Sequence, residues 1–511
     1  MRCSSSRRFS KRRQHRVTRG GAGVRRMNAN EHARRLLREC RWQTGERIPT
    51  MVAGEVRRER AMTDASEAPG LPPVAPMSLP ARLRAVREFH TGPAVVRDVA
   101  GPVVRVPLGP RLVVPPFVVV TSPQGAHDVL AGSSNDTMDK LTPIHLETRL
   151  IGDNVFNLPY EAWKPQRRTL QPLFTKRHVA TFAGHMATAA DERAAGWVDG
   201  ARIDLDRDMR GLTLRVLGRS LFGVDLDQHA SDLGPSVQQV LNYITSRGLR
   251  PVRAPKSLPT PARRQFRAAL ADIHAVIDEA MAGCEADPDR DCELVRLLLA
   301  ARDPDTGRPL TREEVVSDLA VFLIAGHDTT STTLTYALWA LGHHAELQDR
   351  VADEVGELGD RSLTVDDIPA LPFTVQVIHE ALRLCPPAAA LARLATRDTV
   401  VDGFRIERGT NMIVGIYALH RDPALWDDPE TFDPDRFTAE RSRGRDRWQF
   451  LPFGAGARSC IGDHFAILEA TLGLASILRR RRITSLDPAF PLALPFTMTA
   501  GGPIPARAGT R

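Results

Sequence analysis

Phe453-Gly454-Ala455-Gly456-Ala457-Arg458-Ser459-Cys460-Ile461-Gly462 is the stretch that decides the reading of this chain. It sets one cysteine in a glycine-rich loop with an arginine two residues before it. Apolar, helix-compatible sequence follows from Phe465 to Leu478. The glycines, read at Gly456 and Gly462, allow tight turns, so main-chain N–H groups can point at the sulfur. Such a loop can present a thiolate to an iron, and Arg458 is placed to meet an anion beside it. A lone cysteine is more often a small buried residue, so the reading needs support from the rest of the chain.

Working outward, the 511 residues are enough for one large enzyme around a buried cofactor. The six cysteines, Cys3, Cys40, Cys284, Cys292, Cys385 and Cys460, form no C-x-x-C pair and no regular framework. This argues against a disulfide scaffold or a zinc site and for a reducing compartment. No apolar run approaches membrane-spanning length, and no signal-peptide core stands near the N-terminus. The net charge of +8 is unevenly spread. Residues 1–61 carry 18 basic and five acidic residues, which leaves residues 62–511 at −5. The tail suits nucleic acid, acidic lipid or a transit peptide by charge. It lacks an apolar face, and the favoured reading is a disordered extension. The acidic body argues against a nucleic-acid binder. Residues 62–79, rich in Pro, Ala and Ser, read as a linker, residues 80–505 as the catalytic domain and 506–511 as a C-terminal tail.

The β-branched runs Val103–Val106 and Phe117–Val120 predict strands. Apolar periodicity predicts helices over 179–197, 235–248, 262–283 and 311–343. A helix ending near Cys385 is stopped by Pro386-Pro387. Val400–Ile406 and Asn411–Ile416 predict a hairpin turning at Glu407–Thr410. The pattern is mostly α with small β-sheets.

Three further motifs carry chemistry. Ala325-Gly326-His327-Asp328-Thr329-Thr330 lies inside the longest apolar helix, where polar residues are costly without a task. Gly326 lets that helix pass close to something flat. Glu380-Ala381-Leu382-Arg383 puts a carboxylate and a guanidinium on one helix face, and Arg436, in Phe432–Phe437, offers a third partner. Trp163-Lys164-Pro165-Gln166-Arg167 places an indole and a planar cation on one face, suited to a carboxylate. Pro165 is tolerable there if it lies in the first helical turn.

Taken together these residues resemble the cytochrome P-450 family of haem-thiolate monooxygenases, over roughly residues 80–505. The cysteine loop matches Phe-x-x-Gly-x-Arg-x-Cys-x-Gly at every fixed position, and Ala466 and Glu469 continue the match. The resemblance implies a single large domain around haem b (iron protoporphyrin IX). Cys460 would be the axial iron ligand. Phe453, Gly456 and Arg458 would contact the haem from the loop. Trp163, Arg167 and Arg393 would meet its propionates. Asp328 and Thr329 would handle protons and oxygen in catalysis, and Glu380, Arg383 and Arg436 would form a structural network.

The implied activity is insertion of one oxygen atom from O2 into an apolar substrate of the fatty acid, terpenoid or polyketide class. Small residues at Ala388–Ala390 suggest a roomy site. No fused flavin or ferredoxin domain is visible, so electrons would come from NAD(P)H through a separate ferredoxin or flavodoxin and its reductase. The basic cluster Arg479–Arg482 suits either an acidic partner or a solvated helix end. A peroxide-driven hydroxylase or a haem-based sensor is the alternative, and the Asp328-Thr329 pair speaks against both. The expected setting is a soluble bacterial cytoplasm without a transmembrane anchor, with mitochondrial targeting by the tail as the alternative.

Overall fold

Three valines in four residues make each of the first two strands, where branched side chains fit a pleated, half-buried surface. In the computed structural model these strands pair antiparallel, Val103 against Val120 and Val106 against Phe117. The structure describes residues 69–511 apart from 111–113, 132–136, 225, 227–229, 251–252, 256, 288 and 291. The basic extension 1–61 lies outside the described residues.

The strands are β1 (Val103–Val106), β2 (Phe117–Val120), β3 (Met138–Asp139), β4 (Ala201–Asp204), β5 (Leu391–Ala395), β6 (Thr399–Val401), β7 (Phe404–Ile406), β8 (Asn411–Val414), β9 (Arg481–Ser485), β10 (Leu492–Ala493), β11 (Thr499–Ala500) and β12 (Pro505–Thr510). One sheet runs β1-β2-β8-β5-β3, a second β4-β12-β9, and two hairpins are β6-β7 and β10-β11. Eight helices frame the site: α1 (Tyr160–Leu170), α2 (Leu205–Leu217), α3 (Ala230–Gly248), α4 (Pro261–Ala286), α5 (Glu293–Ala300), α6 (Arg312–Leu341), α7 (Pro372–Leu384) and α8 (Asp463–Arg480). α6 starts at a capping box in which Thr311 and Glu314 satisfy each other's backbone N–H groups. It packs against α2, α7 and α8 and threads the main core. The fold is mostly helical with small sheets, as its periodicity predicts.

In its elements, termini and cross-links the structure departs from the sequence reading in five places. The expected helix over 179–197 is broken: a 3-10 turn at Ala180–Phe182 separates Lys176–Val179 from Ala183–Ala195. The expected hairpin turns elsewhere. Asp402 and Gly403 both have positive φ, 48° and 80°, and join β6 to β7 directly, as a two-residue mirror-image turn requires. β8 instead lies parallel to β2 and antiparallel to β5. Residues 70–78 are not linker: Val74 bridges Arg105 and Ala75 is fully buried. Residues 506–511 are not a loose tail, because β12 is the central strand of its sheet. Finally, Cys284 and Cys292 are joined as a disulfide between the end of α4 and the start of α5. That is one local link rather than a scaffold. Among the described residues no helix is long and apolar enough to cross a membrane.

Candidate active site

The cysteine loop is shaped by close approach. Gly454 and Gly456 have φ of 67° and 73°, and a Cβ on Gly456 would stand 2.0 Å from the Leu130 carbonyl oxygen. Gly462 differs from its sequence reading: it has φ −98°, precedes α8 as its N-cap, and has open space where a Cβ would go. Its contribution is its N–H, which favours the charged form of Cys460. The Cys460 N–H donates to the Phe453 carbonyl at 2.9 Å, tying the two ends of the motif together. Cys460 is exposed within the loop. Desolvation raises the thiol pKa, while the Gly462 N–H, Arg167 and Lys140 favour the thiolate.

A cluster of cations gathers beside this loop. Pairing of β3 with β5 sets Asp139 opposite Leu394, next to Arg393. Arg458 donates to Asp139 Oδ1 at 2.9 Å and lies 4.3 Å over the Trp163 ring. Its Nη1 is buried without a partner. Arg393 is 3% exposed, and its Nη1 donates to its neighbour's carbonyl, Ala392 O, at 2.9 Å. Burial draws both guanidinium groups down to about 10. Arg167 reaches Gln171 and the Ser459 carbonyl. Lys140, which the sequence reading missed, is buried with Nζ 3.3 Å from the Phe156 carbonyl. Burial, then Arg393 and Arg458, hold it well below the usual lysine range. Arg458, Arg393 and Lys140 thus gather about Asp139, with Arg167 near Lys140 on the side of the cysteine loop, and Asp139 already accepts from the Lys140 and Tyr160 N–H groups. This excess of buried positive charge and the orphaned Arg458 Nη1 suit a dianionic guest such as a haem with two propionates. Pro165 stands six residues into α1, within its second turn rather than its first. The helix continues without that N–H, and Trp163 is buried beneath Arg458.

On α6, Ala325 is exposed although its helix is largely buried, and Thr329, one turn on, is half-buried on the same face. Thr329 Oγ1 donates to the Ala325 carbonyl at 2.7 Å. Gly326 also gives room to a neighbouring helix: a Cβ there would stand 2.9 Å from the tip of the Leu217 side chain on α2. Asp328 is 1% exposed and fully engaged. Its Oδ1 accepts from Arg210 Nη1 at 2.7 Å and from Gln238 Nε2 at 2.7 Å, and its Oδ2 accepts from the Thr497 hydroxyl. His327 next to it is buried, and burial with Arg210 lowers its pKa to about 4.

Glu380, Arg383 and Arg436 come together in the core. Arg383 is bidentate on Glu380 at 2.7 and 2.8 Å and donates to the carbonyls of His420, Pro429 and Thr431. Arg436 Nε lies 3.4 Å from Glu380. Arg479–Arg482 are engaged within the chain: Arg479 and Arg480 on Asp191, Arg481 on the Ala194 carbonyl, Arg482 on Asp349. That use favours the helix-end reading of the cluster.

Residues 69–489 match the family described as Cytochrome P450. The chain is 33% identical to Cyclooctatin synthase of Streptomyces melanosporofaciens over 75% of its own length and 83% of that protein's. It is 35% identical to Cyclooctat-9-en-7-ol 5-monooxygenase of the same organism, over 66% of this chain and 73% of the relative. It is 33% identical to Pentalenene oxygenase of Streptomyces avermitilis, over 66% and 75%. The cysteine loop, the cation cluster and these likenesses converge: the chain belongs to the cytochrome P450 family and is a monooxygenase with a haem-thiolate cofactor.

Proposed function

We propose that this P450 hydroxylates a compact apolar terpenoid, with electrons from NAD(P)H delivered by a separate ferredoxin or flavodoxin. The observation that carries the substrate class is apolar surface left open near the cation cluster and on α6, beginning at Phe156, whose ring lies 4.0 Å from Lys140 Nζ. Phe156 and Phe496 meet with ring centroids 6.2 Å apart, and Val321 and Ala325 leave surface uncovered on α6. Ala388 and Ala390 are half-buried, while Ala389 is turned into a cluster with Cys385 and Met498. Two relatives named as oxygenases of cyclooctat-9-en-7-ol and pentalenene support the choice among the apolar classes.

In this reading Cys460 is the thiolate ligand, and Arg458, Arg393, Arg167 and Lys140 hold the propionates, with Trp163 stacked beneath Arg458 and with Phe453 and Gly456 shaping the loop. The bound haem supplies the oxygen-activating chemistry. The chain's own work lies around it. The Gly462 N–H moderates the charge on the sulfur. Thr329 offers a hydroxyl from the accessible face of α6, and Asp328 holds a proton-handling carboxylate one residue away. Glu380, Arg383 and Arg436 keep the segment before the cysteine loop in place.

The test is a screen of terpenoids, fatty acids and polyketides by haem difference spectroscopy, followed by turnover with a ferredoxin or flavodoxin system. A terpenoid should displace water from the haem at the lowest concentration and be hydroxylated. A fatty acid or polyketide that binds more tightly and is oxidised faster would overturn the substrate class. Equal turnover on peroxide alone would overturn the electron route.

A further inference from the structure

The Asp328 carboxylate is held by donors from three separate elements. Arg210 on α2 and Gln238 on α3 share Oδ1, each at 2.7 Å. Arg210 is itself fixed by Asp206 at 2.8 Å. The third donor, the Thr497 hydroxyl, takes Oδ2 from the tip of the β10–β11 hairpin. That tip is anchored: Met498 is fully buried and its N–H donates to the Pro387 carbonyl at 2.7 Å. Thr497 also follows Phe496, whose ring meets Phe156. The two neighbours serve different partners: the Thr497 hydroxyl meets Asp328 on α6, and the Phe496 ring meets Phe156. A helix advances about 100° per residue. Asp328 therefore points round from the Ala325–Thr329 face, toward its three donors.

We infer that Thr497 is a positioning residue for Asp328, and that its hydroxyl, with Arg210 and Gln238, holds the carboxylate away from the Thr329 face until one donor lets go. This rests on the proton-handling reading of Asp328 given above. A hydrogen bond to a charged group shifts a population by about ten- to hundredfold. Loss of the Thr497 donor therefore frees the carboxylate more often. No covalent step is added: the same proton moves through the same carboxylate.

The test uses the full-length holoenzyme with its reductase, ferredoxin and a hydroxylated substrate. Thr497→Val keeps the shape and removes the hydroxyl. It should speed proton-limited turnover by about tenfold or less and shrink the solvent deuterium isotope effect, and Thr497→Ser should restore both. In an Asp328→Asn background the Val exchange should change neither quantity, which a purely structural role of Thr497 would not produce. A second readout needs no turnover: isotope-edited infrared difference spectra should show the Asp328 carboxylate band shifted in Thr497→Val, with the band identified by its loss in Asp328→Asn. An unshifted band, an unchanged isotope effect, slower turnover in Thr497→Val, or additive effects with Asp328→Asn would each overturn the inference while leaving the oxygenase reading intact. A wild-type Asp328→Asn comparison without any change in turnover would remove the reading of Asp328 and the inference together.

Discussion

Glu380→Gln isolates the value of one buried charge. The carboxylate accepts two hydrogen bonds from Arg383, at 2.7 and 2.8 Å, and one from the Asp433 N–H at 2.9 Å, with Arg436 at 3.4 Å. Glu380 and Arg383 are 0% exposed and Arg436 5%. The amide keeps nearly the same shape but leaves Arg383 in the core facing no negative charge and Arg436 with only the Asp433 carboxylate, at 3.9 Å. Removing one partner of a buried pair typically costs about 3–5 kcal/mol, a large part of a total stability of about 5–15 kcal/mol. The chain carries its own control. Arg350 is bidentate on Asp435 at 2.8 and 2.9 Å, but the side chains are 45% and 39% exposed. Asp435→Asn should therefore cost about 1 kcal/mol or less. Denaturant unfolding of both variants, with haem content measured alongside, gives the comparison. Glu380→Gln should lose most of its haem and shift the midpoint far more than Asp435→Asn. Equal losses in the two variants would refute the argument that burial sets the value of the pair.

Asp318 on α6 accepts from the Val155 N–H at 2.9 Å and from Gln166 at 2.6 Å, and burial raises its pKa from 3.8 to about 7. A raised carboxyl pKa means the native state holds its proton longer than the unfolded state. Its stabilising effect is full below about pH 4 and is lost as pH rises to about 7, by up to ~4 kcal/mol; Asp318→Asn should flatten that slope in a pH series of unfolding curves, and parallel profiles would contradict it. Thr329→Ala should still bind haem and substrate but release more peroxide per product, whereas Asp328→Asn should mainly slow turnover, by about 10²–10⁴-fold if the carboxylate is a true acid–base group. Product, peroxide and NAD(P)H measured together separate the two effects, and wild-type rate and coupling in both would exclude the pair. A chain begun at Met62 should fold and take up haem, whereas one begun at residue 80 loses Ala75 and the Val74 bridge to Arg105 and should unfold earlier on heating; equal melting temperatures would return residues 70–78 to linker status.

What was legible in the sequence was whatever local chemistry dictates. Valine runs gave β1 and β2, apolar periodicity gave α4 and α6, and the cysteine loop gave the family. The Asp402-Gly403 turn was also legible as a dipeptide signal, but Gly409 drew the reading to the wrong place. The pairing of Cys284 with Cys292 depends on how α4 and α5 meet, which eight residues of spacing do not state. The partners of Asp328 lie 118, 90 and 169 residues away. Only folding brings Arg210, Gln238 and Thr497 to one carboxylate, and no local pattern marks them. Lys140 had one faint signal, as one of five lysines among 69 basic residues. Its value appears only when β3 pairs with β5 and sets it among three arginines.

The ligation by Cys460 is tested most directly by the absorption spectrum of the reduced, CO-bound chain. Two cysteines are free among the described residues, Cys460 and Cys385. Burial pushes the Cys385 thiol up to about 12, far from a thiolate. The wild-type chain and Cys385→Ser should show the red-shifted Soret band of thiolate-ligated haem, the band that names the family, and Cys460→Ser should lose it. A shorter-wavelength, imidazole-type band in folded wild-type protein, or a thiolate band that survives in Cys460→Ser, would contradict the account.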